Sequence, residues 1–221
     1  MRIPKAVVLD LDGTLVDTVG TRIEAWQRVF DEEGIPVDRD ALAGLIGSDG
    51  RQLARTVAQA AGRPVDGDGA ERIDARAGAI YSELNVDPQP LPGVGDFLDA
   101  LDRARIPWAI GTSSRRDQVG ASVAALRRAP APLIVDGTTV ARAKPHPDLL
   151  LAAAKVLDTE PMACWCVGDS TWDMRAATAA DMPAIGVTAG SAVNPQQLQA
   201  AGASLVLPTL LDLIPLLGEE S

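Results

Sequence analysis

"KAVVLDLDGTLVDT", residues Lys5 to Thr18, carries a short apolar run directly into Asp10 and Asp12, then a glycine, then a third acid at Asp17. An apolar run of this length without polar alternation suits a parallel strand covered on both faces. Acids placed just beyond such a strand stand at its carboxyl end, where open parallel sheets bind their ligands.

Three further runs have the same character: "IPWAIGTS" (106–113), "ACWCVGDS" (163–170) and "PAIGVT" (183–188), with shorter candidates at 133–137 and 204–208. Helical patterns fill the intervals at 94–104, 118–129, 147–157 and 173–181, with Pro147 suited to a first helical turn. Strand and helix therefore alternate from residue 90 onward, which predicts an α/β domain with a doubly wound parallel sheet. Residues 17–89 contain amphipathic stretches such as "TRIEAWQRVFDEEG" and no convincing strand, and "DPQPLPGVG" closes the block. The expected division is a catalytic core of residues 1–16 and 90–221 and a helical cap of residues 17–89. "DGDGAE", near residue 66, reads as a solvated loop.

The chain has 221 residues and a formal net charge of −10. That charge argues against nucleic acid as a partner, because such binding rests on neutralising phosphates. The sequence also has neither a membrane-spanning apolar run nor a signal peptide, so a soluble, cytoplasmic protein with no membrane partner is expected. Cys164 and Cys166 read as free core thiols.

The residues that follow the strong strands converge in one crevice. Asp10 and Asp12 follow the first, Thr112 and Ser113 the second, and Asp169 and Asp173 the run at 163–170. Lys144 precedes the helix leading into that last strand and is one of only three lysines, with Lys5 and Lys155. Clustered carboxylates repel one another unless a cation joins them, and hard oxygen donors favour Mg²⁺. Carboxylate, hydroxyl, lysine and metal together suit phosphoryl transfer, with Asp10 attacking and Asp12 handling the proton.

These motifs resemble those of the haloacid dehalogenase superfamily, in the helical-cap branch of phosphatases and phosphomutases typified by phosphoglycolate phosphatase and β-phosphoglucomutase. The first motif is Asp10 to Asp17, the threonine motif is Thr112 in "IGTSS", the lysine motif is Lys144 in "AKPHPD", and the acidic motif is Asp169 to Asp173 in "GDSTWD". The resemblance implies a Rossmann-like core and a Mg²⁺-dependent phosphoric monoester hydrolase acting on a small phosphorylated metabolite. It implies Asp10 as nucleophile and metal ligand, and Asp12 as general acid and base with its carbonyl on the metal. Asp169 would be a further ligand and Asp173 a supporting acid behind it, while Thr112, Ser113 and Lys144 would hold the phosphoryl group. An aspartyl phosphate on Asp10 would be the intermediate. Arg51, in the cap turn "GSDGRQLAR", is the expected specificity residue.

Within the superfamily, phosphonate-cleaving relatives use a cap lysine, and none lies between residues 17 and 89. Haloacid dehalogenases usually lack the second aspartate, here Asp12. Sugar phosphomutases place a histidine in the first cap helix where this chain has Arg22, which ranks a mutase behind a phosphatase. A reading of a different class, a receiver-like phosphoacceptor domain, is disfavoured by chain length and by the cap. Finally, the family commonly has Ala-Gly-Met after the acidic-motif helix, and this chain has Ala180-Asp181-Met182. An aspartate there is expected to sit in the left-handed conformation at some cost in local stability.

Overall fold

The structure is a computed structural model that describes residues 2–218. Its centre is a six-stranded sheet in the order β3-β2-β1-β4-β5-β6, every pair parallel. The strands are β1 (Ala6–Leu9), β2 (Trp108–Gly111), β3 (Leu133–Val135), β4 (Cys164–Gly168), β5 (Ala184–Val187) and β6 (Leu205–Leu207). All six expected runs form strands.

Side chains alternate across the sheet with period two, so each strand feeds two cores. Val7, Leu9, Trp165 and Val167 face a cluster completed by Phe97, Leu98, Leu101, Leu210 and Leu213. Ala6, Val8, Cys164 and Cys166 face the opposite cluster, with Leu149, Leu150, Met174 and Leu198. Both cysteines are buried free thiols, and burial raises their pKa values, that of Cys164 to about 11. Helices α5 (Val94–Arg103), α6 (Gly120–Ala125), α7 (Asp148–Val156), α8 (Thr171–Ala179) and α9 (Pro195–Ala200) connect the strands.

Four helices lie between β1 and α5: α1 (Val19–Glu32), α2 (Arg39–Ala43), α3 (Gly50–Ala60) and α4 (Gly67–Leu84). They bury a third cluster drawn entirely from their own segment, including Trp26, Phe30, Leu53, Ile73 and Tyr81. The chain leaves and re-enters the sheet region side by side, with Leu91 N donating to Leu15 O and Asp17 N to Gln89 O.

Two local expectations need correction. "DGDGAE" is not a loop but the start of α4: the Asp66 side chain accepts from Gly69 N and caps the helix, which outweighs the low helix propensity of its glycines. The pattern at 118–129 forms only the short α6. The chain turns out of helix there, Arg127 adopting φ 50°, and Pro130 and Pro132 block continuation.

Helix α8 ends in a Schellman motif, with Met182 N bonded to Ala177 O and Asp181 N to Thr178 O. Asp181 takes φ 56° to close it. Replacing it with glycine removes the steric cost, so Asp181→Gly should raise unfolding free energy by about 0.5–1 kcal/mol. Denaturant titration checks this; a lowered midpoint would mean that the carboxylate contributes a compensating interaction.

Candidate active site

The sheet order sets β1 between β2 and β4, so the ends of these three strands lie side by side. Asp10 continues the ladder one step beyond β1, its N–H donating to Val167 O. Thr112 does the same beyond β2, donating to Val135 O. Asp169 follows β4, and Ser170 caps α8 in a box with Asp173: the Ser170 side chain accepts from Asp173 N while Asp173 Oδ2 accepts from Ser170 N. The capping box that starts α8 thus also fixes where its first acid points.

Lys144, fully buried, reaches into this cluster. Its Nζ lies 2.5 Å from Asp10 Oδ1 and 2.6 Å from Asp173 Oδ1. Asp173 Oδ1 nonetheless accepts no well-directed hydrogen bond. Carboxylate atoms of Asp10, Asp169 and Asp173 lie within 4.8 Å of one another. Burial opposes the charge on Lys144, but Asp10 and Asp173 overcome it and hold the ammonium protonated. Burial pushes the Asp10 carboxyl up to about 7 against the pull of Lys144, with Asp173 adding to the push. Burial likewise raises Asp169, helped by Asp10 and Asp173, although Thr14 Oγ1 donates to it at 3.0 Å. Gly13, at φ 86°, lets Asp169 approach: a Cβ there would stand 2.3 Å from Asp169 Oδ2. Three buried acids against one ammonium leave a deficit of positive charge, and hard oxygen donors of this kind fit a divalent cation.

Asp12 faces the other way, toward the helical segment. Its Oδ1 accepts from Thr18 Oγ1 at 2.6 Å and Tyr81 OH at 3.0 Å; its Oδ2 accepts from Ser114 Oγ at 2.8 Å and Arg22 Nη2 at 3.0 Å. Burial would raise its pKa, but Arg22 and the hydrogen bonds from Thr18 and Ser114 outweigh it and hold the carboxyl below the usual range. Arg22 is itself fixed: its guanidinium stacks 3.3 Å from the Tyr81 ring centroid, and Nη1 donates to Gln118 Oε1. Burial and the Asp12 charge push the Tyr81 phenol up to about 12, so it remains a donor at neutral pH.

Thr112 Oγ1 accepts from Ser114 N, and Ser113 Oγ donates to Gly47 O in the helical segment. Asp10, Asp12, Thr112 and Ser113 border one cavity of about 60 Å³ between the sheet edge and helices α1, α3 and α4.

Six of the expected site residues therefore gather here with Lys144, and Arg51 does not. It lies in the first turn of α3, paired with the capping Asp49 at 3.0 Å, partly exposed and outside the cavity lining. The arginines that do border the cavity are Arg22 and Arg115. Sequence reading did not assign the Asp12 partners Thr18, Arg22, Tyr81 and Ser114. The available signals were the four-residue spacing of Thr18 and Arg22 along α1 and the presence of a single tyrosine in the chain.

Residues 7–187 match the family model described as haloacid dehalogenase-like hydrolase. The chain is similar to the β-phosphoglucomutase of Bacillus subtilis (strain 168), 32% identical over 223 residues spanning 98% of this chain and 95% of the relative. It is also similar to the fructose-1-phosphate phosphatase of Escherichia coli (strain K12), 30% identical over 182 residues, 82% of this chain and 95% of the relative. Among solved structures, a hydrolase from Pseudomonas syringae aligns with a TM-score of 0.90 at 32% identity, covering 95% of each chain.

Removing the ammonium would strand Asp10 and Asp173. Lys144→Met in metal-free buffer should lower unfolding free energy by about 3–5 kcal/mol, the usual cost of breaking a buried ion pair. Equilibrium denaturation tests this; an unchanged stability would show that the carboxylates are not charged in the folded protein.

Proposed function

The chain belongs to the haloacid dehalogenase-like hydrolases, and we propose that within the family it is a Mg²⁺-dependent phosphatase that hydrolyses a small phosphomonoester through an aspartyl phosphate on Asp10. The observation that carries this reading is the opposed setting of two acids two residues apart. Asp10 is held on Lys144 beside Asp169 and Asp173, and Asp12 is held on Arg22, Tyr81, Thr18 and Ser114. Held on different partners, the two carboxyls can divide nucleophilic and proton-transfer work between them.

In the proposed reaction, Lys144, Thr112 and Ser113 hold the phosphoryl oxygens, with Asp10 in line behind the phosphorus. Asp10 displaces the ester oxygen as Asp12, protonated once Arg22 has withdrawn, gives it a proton; Asp12 then takes a proton from water, which attacks the acyl phosphate and restores Asp10. Asp10, Asp169 and the Asp12 carbonyl would hold Mg²⁺, with Asp173 supporting them. The ion would neutralise charge on the phosphoryl oxygens. Residues 17–89 would serve as a cap. Thr18, Arg22 and Tyr81 come from that segment, so its movement would release Asp12 from up to three of its four donors.

A second reading, a sugar phosphomutase, is favoured by the likeness to a β-phosphoglucomutase over almost the whole chain. Arg22 speaks against it, standing on Asp12 as a fixed cation with no proton to exchange at neutral pH. Release of inorganic phosphate from sugar 1-phosphates, compared with their conversion to 6-phosphates, separates the two.

With Mg²⁺ present, Asp10→Asn should abolish phosphate release while leaving the circular dichroism spectrum intact. Asp12→Ala should slow turnover by roughly 10²- to 10⁴-fold, the usual worth of general acid–base catalysis. Excess chelator should stop the wild-type reaction and added Mg²⁺ restore it. Near-normal turnover by Asp10→Asn, or full activity in chelator, would refute the assignment.

A further inference from the structure

Asp74 projects from α4 into the same cavity that Asp10 and Asp12 border. One carboxylate oxygen, Oδ2, accepts two hydrogen bonds from Arg115, from Nε at 3.0 Å and from Nη2 at 2.7 Å. The other, Oδ1, has no hydrogen-bond donor among the described residues. It lies against the backbone of Gly50, where a Cβ would come within 1.9 Å of it. A side chain at position 50 would displace the carboxylate, so the glycine is what lets Oδ1 sit at this place on the cavity wall. Burial raises the Asp74 carboxyl, Arg115 opposing and Asp49 and Glu71 adding. A neutral hydroxyl donating to Oδ1 would relieve such a group, and another anion would burden it further.

The cations around the cavity are all matched. Arg22 is paired with Asp12, Arg115 with Asp74 and Glu71, and Lys144 with Asp10 and Asp173. None is left over for a second anionic group carried by the substrate away from its phosphoryl end. The open polar group at that end is an acceptor.

We propose that Asp74 is a specificity residue for the leaving group, its Oδ1 accepting a hydrogen bond from a hydroxyl, so that the site favours phosphorylated polyols and sugars over phosphorylated carboxylic acids. This rests on the phosphatase reading above. Gly50 contributes by admitting the carboxylate at that position. Arg115 positions the carboxylate through its paired contacts to Oδ2.

The test compares phosphate release from fructose 1-phosphate and from phosphoglycolate, with Mg²⁺, for wild type, Asp74→Ala, Asp74→Asn and Glu71→Gln. In wild type, kcat/KM should be higher for fructose 1-phosphate. Asp74→Ala should lower the ratio of the two kcat/KM values by roughly 10- to 100-fold, the worth of a hydrogen bond to a charged group. Asp74→Asn, which sheds the charge at nearly constant shape, should raise kcat/KM for phosphoglycolate and keeps the comparison available if the alanine variant does not fold. Glu71→Gln touches the same Arg115 from outside the cavity lining and should leave the ratio unchanged. Turnover that falls equally on both substrates in the Asp74 variants, or a ratio that Glu71→Gln shifts as much, would overturn the inference and reduce Asp74 to a partner of Arg115. A wild type that hydrolyses phosphoglycolate better would also overturn it. No turnover of any ester by wild type would instead overturn the phosphatase reading, and the inference with it.

Discussion

The buried ammonium of Lys144 between Asp10 and Asp173 is the contact on which the site is built. It joins three places far apart in the chain: the end of β1, the loop before α7 and the first turn of α8. They meet only because the sheet sets β1 beside β4. Removing charges from water costs several kcal/mol per ion, and one ammonium can offset that for its two neighbours only where the geometry is close. Asp169 then stands as a further acid in the same cluster. The fold thus concentrates more negative charge than its own lysine can balance, and a divalent cation and a phosphoryl group are ligands that make use of both signs.

Asp10 and Asp12 show how little sequence distance is needed to give two acids different surroundings. Asp10 is still in register with the ladder and meets the lysine; the turn at Gly13 swings the chain so that Asp12 meets α1 and α4 instead. The first carboxyl is pushed up by burial among like charges. The second is held down by an arginine and the hydroxyl donors Thr18 and Ser114. Their difference lies in neighbours, not in residue type.

The strands were readable because burial on both faces demands uninterrupted apolar runs, and the motif residues were readable because they follow those runs directly. Lys144 stood out through the scarcity of lysine. The partners of Asp12 were not readable in the same way. Tyr81 and Ser114 lie 69 and 102 residues from it, and they converge only when the four-helix segment is seated on the sheet edge. Nothing in local pattern records that docking. Arg51 illustrates the converse: its place beside the motif turn suggested the cavity, but the capping Asp49, two residues away, captures its guanidinium. "DGDGAE" was misread for a related reason, since its composition is that of a loop while a single capping carboxylate makes it the first turn of α4.

The seating of the helical segment is itself built from motif residues. Ser113 donates to Gly47 O, Trp172 of the acidic motif donates to Gly44 O, and Asp49 N donates to Lys144 O. The cavity bordered by this arrangement is about 60 Å³. On the proposed reaction, a substrate larger than this volume would part these contacts on entry. Each is a hydrogen bond of about 1 kcal/mol net, and they act beside the Arg22–Asp12 and Arg115–Asp74 ion pairs that join the same two parts. Because their donors and acceptors belong to the threonine, lysine and acidic motifs, whatever displaces them also reaches the groups that would hold the phosphoryl. Seating of the helical segment and placement of the strand-end residues are in this way one structural event.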